Sequence, residues 1–554
     1  MPHASANLYC CTTMARLIHQ EGFMKLRALA AVTTLTCAVL GVPVAHSQPR
    51  AKGPVVSTAS GRVAGVQLAH SDLAVFKGIP FAAPPTGKLR WRAPQPVHAW
   101  KGIRPADHFS DSCMQQTPNE FLPWTPVFMT HRPVSEDCLY LNVWTPRVSA
   151  SANLPVLVFI HGGAFTSGAG SISIYNGAHL AETGMVVVTL NYRVGVFGFF
   201  AYPQLTAESR HHSSGNYGLL DQIAALGWVR RNIRNFGGDP HRVTIWGQSA
   251  GAWSVEDLLL SPLPVGLFER AQADSGIGLA NGFHSLSLRQ AEANGEKFAT
   301  RIGAHSLAEL RAVPAAALLA DVRPGDRFLP NVDGWVLPAA SNQLTAQGTG
   351  SHVPVITGNE ANDWMLGSPR VHTVQQYQAL AHRLYGSEAA QFLQLYPAAN
   401  AEQAAAMETL SSEDRDRVSM YLWARLRAQS PDVTQPIYTY YFDRAIPWPQ
   451  HPEYGAFHSG ELPYFFRNLN RMHRPWQPAD FAVSRTVSAY LKNFVATGDP
   501  NGAGLPHWPA VQAKSAVTMQ LGQTMGPMPL ASAARLAFWK KYFASPDAAH
   551  APLF

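Results

Sequence analysis

The sequence is short of charge: Asp, Glu, Lys and Arg make up 14% of its 554 residues. It has no dense Lys/Arg block interleaved with aromatics, the pattern that marks a nucleic-acid surface. It has no self-similar repeat and no long low-complexity tract, which sets aside solenoids and repeat arrays. Its most apolar run, near the N-terminus, is shorter than the roughly 20 residues that span a bilayer. Cysteine is scarce. There are five, and Cys10, Cys11 and Cys37 all precede residue 48. What the chain does have is a 46% hydrophobic composition, enough for one large globular core.

The N-terminus reads as a targeting segment. Met24-Lys25-Leu26-Arg27 is basic, residues 28–44 are apolar, and Ala45-His46-Ser47 offers small residues before Gln48. This is the pattern of a secretory signal peptide over 24–47, so the expected location is secreted or periplasmic, with no stable membrane anchor in the mature form. Residues 1–23 resemble neither signal nor fold, and Met24 is taken as the start. Three basic residues and one acidic residue fall within 1–47, which leaves +5 of the chain's +7 for the remainder. That modest surplus, with no basic cluster, argues against nucleic acid as a partner. Cys113 and Cys138 are the two cysteines left, and a pair in an exported protein reads as one disulfide. Closing that loop would stabilise by about 3–4 kcal/mol in the chain-entropy view.

From residue 48 to 554 the pattern is that of one α/β domain. Pro155–Ile160 and Met185–Leu190 are almost wholly apolar, as suits strands buried on both faces of a mainly parallel sheet. Residues 219–236 carry helical spacing, Arg242–Trp246 reads as the next strand, and a helix is expected after Ser249. Between about 285 and 430, Ala, Leu, Glu and Arg dominate with helical periodicity. This helical excursion is expected to cap the site, and Val353–Thr357 is a short strand inside it.

The stretch Gly247-Gln248-Ser249-Ala250-Gly251 carries the chemistry. A serine at the tip of a strand–turn–helix elbow sits in a strained backbone, and the residues two before and two after it approach one another, so both must be glycine. The following helix aims its N-terminal amides at the site. Upstream, His161-Gly162-Gly163 follows a buried strand. Gly162 and Gly163, together with Ala250, can present bare backbone N–H groups to an oxyanion. No second histidine or cysteine lies at ligand spacing from His161, so neither a metal nor any other cofactor is expected.

Longer motifs surround these. They are Phe236–Gly251, Glu136–Pro146, Phe76–Pro85, Asn191–Gly195, Gly215–Gln222 and Gly498–Asn501. In these stretches the chain resembles the type-B carboxylesterases of the α/β-hydrolase superfamily, the family that includes cholinesterases and bacterial para-nitrobenzyl esterases, over about residues 53–545. The resemblance implies an α/β-hydrolase fold with a large, mostly parallel sheet flanked by helices. It implies a Ser-His-acid triad that hydrolyses small-molecule carboxylic esters through an acyl-enzyme. It also implies a Cys113–Cys138 disulfide and structural ion pairs Arg90–Glu136 and Arg193–Asp221.

Within that resemblance Ser249 is the nucleophile, and His458, in Gly455–Pro463, matches the histidine loop. The acid is less clear. The family places it five residues after a glycine, which from Gly358 is Asp363, while Glu360 sits two after. Asp363 is preferred and Glu360 is the alternative. Trp364 replaces a usual glycine. Gln248 stands where the family has Glu, which removes a negative charge, argues against a choline-ester preference and lessens repulsion of esters that carry a free carboxylate. Gln248, Phe165, Trp124 and Phe128 are the candidate pocket residues. Two other functions remain open on the sequence: a non-catalytic adhesion member of the same fold, or an amidase, lactonase or carbamate hydrolase using the same triad.

Overall fold

The computed structural model describes residues 53–116, 121–276, 278–279, 286–363, 371–430, 433–512 and 515–545. The expectations for residues 1–47 and for Trp364 lie outside them.

A central eleven-stranded sheet organises these residues. Its strands in chain order are β1 Val66–Gln67, β2 Ala74–Pro80, β3 Tyr140–Thr145, β4 Leu154–Ile160, β5 Val186–Leu190 and β6 Gly238–Gln248. They continue with β7 Arg270–Asp274, β8 Val355–Glu360, β9 Ile437–Phe442, β10 Val517–Leu521 and β11 Met525–Pro529. Across the sheet they run β11-β10-β9-β8-β7-β6-β4-β5-β3-β2-β1. From β5 through β10 every neighbouring pair is parallel, and the outer pairs on both sides are antiparallel. The apolar runs explain the arrangement. Every residue of β5, β8 and β9 is buried, which fits strands covered by helices on both faces.

The elements read from the sequence are present with somewhat different ends. Helix α1 covers Tyr217–Asn232, and α2 covers Ala250–Leu260 directly after the elbow. The strand before the elbow is longer than expected and begins at Gly238. Among the described residues the stretch expected to be helical holds seven α-helices, the longest being α3, Ala401–Ala428, and β8 is the strand expected inside it. Cys113 and Cys138 are joined in a disulfide. Arg90 pairs with Glu136 at 2.6 Å and the fully buried Asp221 with Arg193 at 2.7 Å. In the second pair the carboxylate takes the guanidinium side-on and also accepts the Arg193 amide, so the buried charge is satisfied from three directions.

The order of the sheet decides where the site lies. Parallel strands deliver their connecting loops to one edge, and in open α/β sheets the crevice beyond the carboxyl ends is where ligands bind. The loops after β4, β6, β8 and β9 all emerge there. They carry Gly162 and Gly163, Ser249, Asp363 and His458 respectively.

Candidate active site

Ser249 sits between β6 and α2 with φ +59° and ψ −127°, a region that non-glycine residues rarely occupy. Hydrogen bonds on both sides fix it. Its amide donates to the Asp274 carbonyl at 2.9 Å, and its carbonyl accepts from Trp253 at 3.0 Å. The flanking glycines have a steric reason. A Cβ on Gly247 would lie 2.2 Å from the Gly251 carbonyl oxygen, and one on Gly251 would lie 2.1 Å from that of Ile160. The elbow can therefore close only with hydrogen at both positions.

The Gly162–Gly163 loop packs directly on the serine. A Cβ on Gly162 would stand 2.9 Å from the Ser249 Cβ and 2.6 Å from the Gln248 carbonyl oxygen. Thr166 and Ser167 amides both donate to the Gly163 carbonyl, which folds the loop back on itself. Beneath it, His161 is buried and stacked on Tyr192, with ring centroids 4.3 Å apart. Its Nδ1 lies 2.8 Å from the Gly162 carbonyl oxygen. Burial pushes the His161 ring down to about 4, so it is neutral and donates to that carbonyl. Ala250 is the first residue of α2, where the amide has no partner within the helix.

His458 lies in the loop after β9. Its Nδ1 hydrogen bonds Asp363 Oδ1, and Glu360 Oε2 is 4.0 Å from the same nitrogen. The structure thus sets Asp363 against the ring and Glu360 behind it. Asn362 zips the two loops together. Its amide donates to the Ala456 carbonyl and its side-chain oxygen accepts from the Ala456 amide, both at 3.0 Å. That zipper brings the shorter aspartate within reach of the imidazole. Burial opposes charge on Asp363, but the facing His458 ring and its hydrogen bond prevail and hold the carboxyl below its usual range. Burial likewise works against the imidazolium, and Asp363 outweighs it, leaving the ring above its usual value.

With Nδ1 bonded to a carboxylate, the other ring nitrogen of neutral His458 is an acceptor. Gln248 Nε2 lies 3.3 Å from it, and Gln248 Oε1 accepts from Ser459 Oγ at 3.0 Å. Trp124 Nε1 donates to the His458 carbonyl at 3.1 Å. Sequence reasoning singled out neither Asn362 nor Ser459, because both act through loop-to-loop contacts that carry no spacing signal.

Ser249, Gly162, Gly163, Asp363 and His458 open into one cavity of about 460 Å³. Phe121, Trp124, Phe128, Met129, Ile172 and Tyr175 form its apolar side. Of the candidate pocket residues, Trp124, Phe128 and Gln248 line this cavity. Phe165 is not in the wall. Ala164 and Phe165 both take positive φ, +54° and +59°, and the phenyl ring is buried in the core, 5.1 Å from Phe199 and 5.7 Å from Trp253. Among the described residues, the stretch from 286 to 428 gives the wall only Asp363. The loop held by the disulfide supplies the side that its helices were expected to cover.

Residues 52–539 match the carboxylesterase family model. The chain is 35% identical over 535 residues to a fumonisin B1 esterase of Sphingopyxis macrogoltabida, covering 93% of this chain and 94% of that one. It is 34% identical over 493 residues to the para-nitrobenzyl esterase of Bacillus subtilis (strain 168), covering 84% and 94%. A solved PNB esterase structure superposes with a TM-score of 0.72 at 31% identity, over 88% of this chain and 99% of that one. The chain belongs to the carboxylesterase family, a carboxylic ester hydrolase with the α/β-hydrolase fold.

Proposed function

We propose that this esterase works through a Ser249–His458–Asp363 triad and an acyl-enzyme on Ser249. The observation that carries the reading is the hydrogen bond between His458 Nδ1 and Asp363, in the same cavity as a serine held at positive φ. The acid fixes the tautomer that leaves Nε2 free to take the serine proton. Ser249 attacks the ester carbonyl, and the amides of Gly162, Gly163 and Ala250 receive the developing oxyanion. His458 returns the proton to the departing alcohol, and water repeats the sequence on the acyl-enzyme. Export by a signal peptide over 24–47 belongs to the same proposal, as the setting in which the Cys113–Cys138 disulfide would persist.

The substrate class follows from the wall. The relatives are named for esters as different as fumonisin B1 and para-nitrobenzyl esters, so family membership leaves it open. Among the described lining residues the only ionisable carboxyl and imidazole are those of the triad, and the remainder is aromatic, apolar or neutral polar. This favours uncharged esters whose acyl or alcohol part is apolar. Gln248 removes a repulsive charge, but the described wall offers no cation to attract a free carboxylate.

The test is kcat/KM on p-nitrophenyl esters, neutral and carboxylate-bearing, for wild type and Ser249→Ala, with fluorophosphonate labelling of both. The variant should lose on the order of 10⁴-fold or more in kcat and should not label. Neutral esters should exceed the anionic ones by about tenfold or more, the scale of a few unfavourable contacts. Retained activity or labelling in Ser249→Ala would overturn the mechanism.

A further inference from the structure

Behind the catalytic histidine lies more acid than the reaction uses. Glu360 ends β8 and is fully buried, as are Asp274 at the end of β7 and Glu461 three residues after His458. With Asp363, Glu360 and Glu461 crowd one imidazole, and Asp274 lies next to Glu461. Glu360, Asp363 and His458 bring their donor atoms within 4.8 Å of one another. Among the described residues, the other titratable groups that face this cluster are the Tyr440 hydroxyl from β9, the Tyr175 hydroxyl and, from α3, Asp416. Asp416 already pairs with Arg415 at 2.8 Å, so that cation is engaged elsewhere.

The hydrogen bonds show that the pair Glu360 and Glu461 cannot both be charged. Glu360 Oε2 accepts from Ser275 Oγ at 2.6 Å, while Glu360 Oε1 and both Glu461 oxygens find no protein donor among the described residues. Ionised carboxylates only accept, so two of them facing each other leave three buried oxygens unmatched, at a cost of several kcal/mol. One proton placed between them turns the same contact into a carboxyl–carboxylate hydrogen bond. Asp274 is not the donor. It is occupied by Trp246 Nε1 at 2.5 Å and by Gln272.

Resting on the triad reading above, we propose that Glu360 is a positioning residue that works as a neutral acid: it keeps a proton at neutral pH, donates it to Glu461, and thereby leaves Asp363 as the anion that serves His458. The direction of the local electrostatics agrees. Burial, followed by the repulsion of Glu461 and Asp363, drives the Glu360 carboxyl well above its usual range; burial raises Glu461 as well, with Glu360 opposing that rise, and Asp363 alone is held below its usual range. The arrangement also accounts for an aspartate in the acid position. A second carboxyl one turn of chain away, tied to Ser275, backs the shorter side chain and holds it toward the ring. No bond is made or broken at Glu360, and its proton stays in place through the reaction.

Three variants of the full chain test this: Glu360→Gln, Glu360→Ala and Asp363→Asn. For each, kcat and KM are measured across pH 5–9 with one neutral p-nitrophenyl ester. Glu360→Gln is a neutral donor of the same shape. It should keep kcat within about threefold and leave the acid limb of kcat/KM in place, because no charge near His458 has changed. Glu360→Ala should lose about tenfold or more in kcat with little change in KM, since the support under Asp363 is gone. Asp363→Asn should fall by roughly 10⁴. An infrared difference spectrum, wild type minus Glu360→Gln at pH 7, should contain the C=O stretch of a protonated carboxylic acid, and this readout holds even if Glu360→Ala fails to fold.

If Glu360→Gln moves the acid limb down by about a unit or more, Glu360 is an anion and the proposal is wrong. It is equally wrong if the protonated-acid band is absent. If Glu360→Gln is as damaged as Asp363→Asn is expected to be, and Asp363→Asn retains activity, then Glu360 is the triad acid and the mechanism itself, rather than only this refinement, has to be rewritten.

Discussion

The Trp124 indole N–H donates to the backbone carbonyl of His458 at 3.1 Å, and its ring meets the imidazole edge-on with centroids 6.2 Å apart. The loop closed by the Cys113–Cys138 disulfide is thereby fastened to the loop that carries His458. Trp124 also lines the cavity and stacks on Phe121 at 5.5 Å. One residue thus supplies pocket wall and loop anchor together.

Trp124→Phe separates those two roles, because it keeps an aromatic wall and deletes the donor. One neutral hydrogen bond is worth about 1 kcal/mol net, so kcat/KM should drop by about fivefold. The acid limb should not move, since no charge is altered. Steady-state kinetics across pH check this. An unchanged kcat/KM would mean that the disulfide-held loop does not position His458 at all.

Gln248 gives a second prediction, of defined sign. In the proposed triad His458 must be neutral at Nε2 to accept the serine proton, and Asp363 already holds the ring above its usual value. Gln248→Glu places a carboxylate where the amide nitrogen now stands, 3.3 Å from Nε2. A nearby opposite charge favours the imidazolium, so the acid limb of kcat/KM should shift upward by about one unit. Activity near pH 6 then falls more than activity near pH 9. The same variant should gain on cationic esters relative to neutral ones. A limb that stays in place would show that the carboxylate is either protonated or turned toward Ser459.

Much of this site was legible in the chain because its constraints are local. Gly247 is forced by its contact with Gly251, four residues on, and the apolar runs of β4 and β5 are forced by burial on both faces, whereas Gly251 answers to the Ile160 carbonyl of a neighbouring strand. The choice between Glu360 and Asp363 was not local. It depends on Asn362 pairing with Ala456, a contact across 94 residues that no spacing encodes. Phe165 misled for a related reason. Its place beside the oxyanion glycines looked like pocket, but two successive positive-φ residues lie there and the ring is packed among Phe199 and Trp253.

Asp257 tests the same electrostatics away from the catalytic residues. It lies in α2, the helix that follows Ser249, is buried, and has among the described residues one weak side-chain donor, Ser341 Oγ at 3.4 Å. Burial pushes its carboxyl up to about 7, with Ser341 opposing only slightly. In the unfolded chain it would titrate near 3.9. The native state therefore holds a proton that the unfolded state releases. Its contribution to stability is present below about pH 4 and is lost progressively as pH rises to about 7, beyond which the penalty is constant. Three units correspond to about 4 kcal/mol at most. Asp257→Asn mimics the protonated form and keeps the oxygen that Ser341 contacts. Its melting temperature should exceed that of wild type by several degrees at pH 8, and the gap should close toward pH 4. Scanning calorimetry at the two pH values measures this. A gap that is equal at both, or a loss at pH 8, would mean that Asp257 is ionised in the fold and that the helix behind Ser249 tolerates a buried charge.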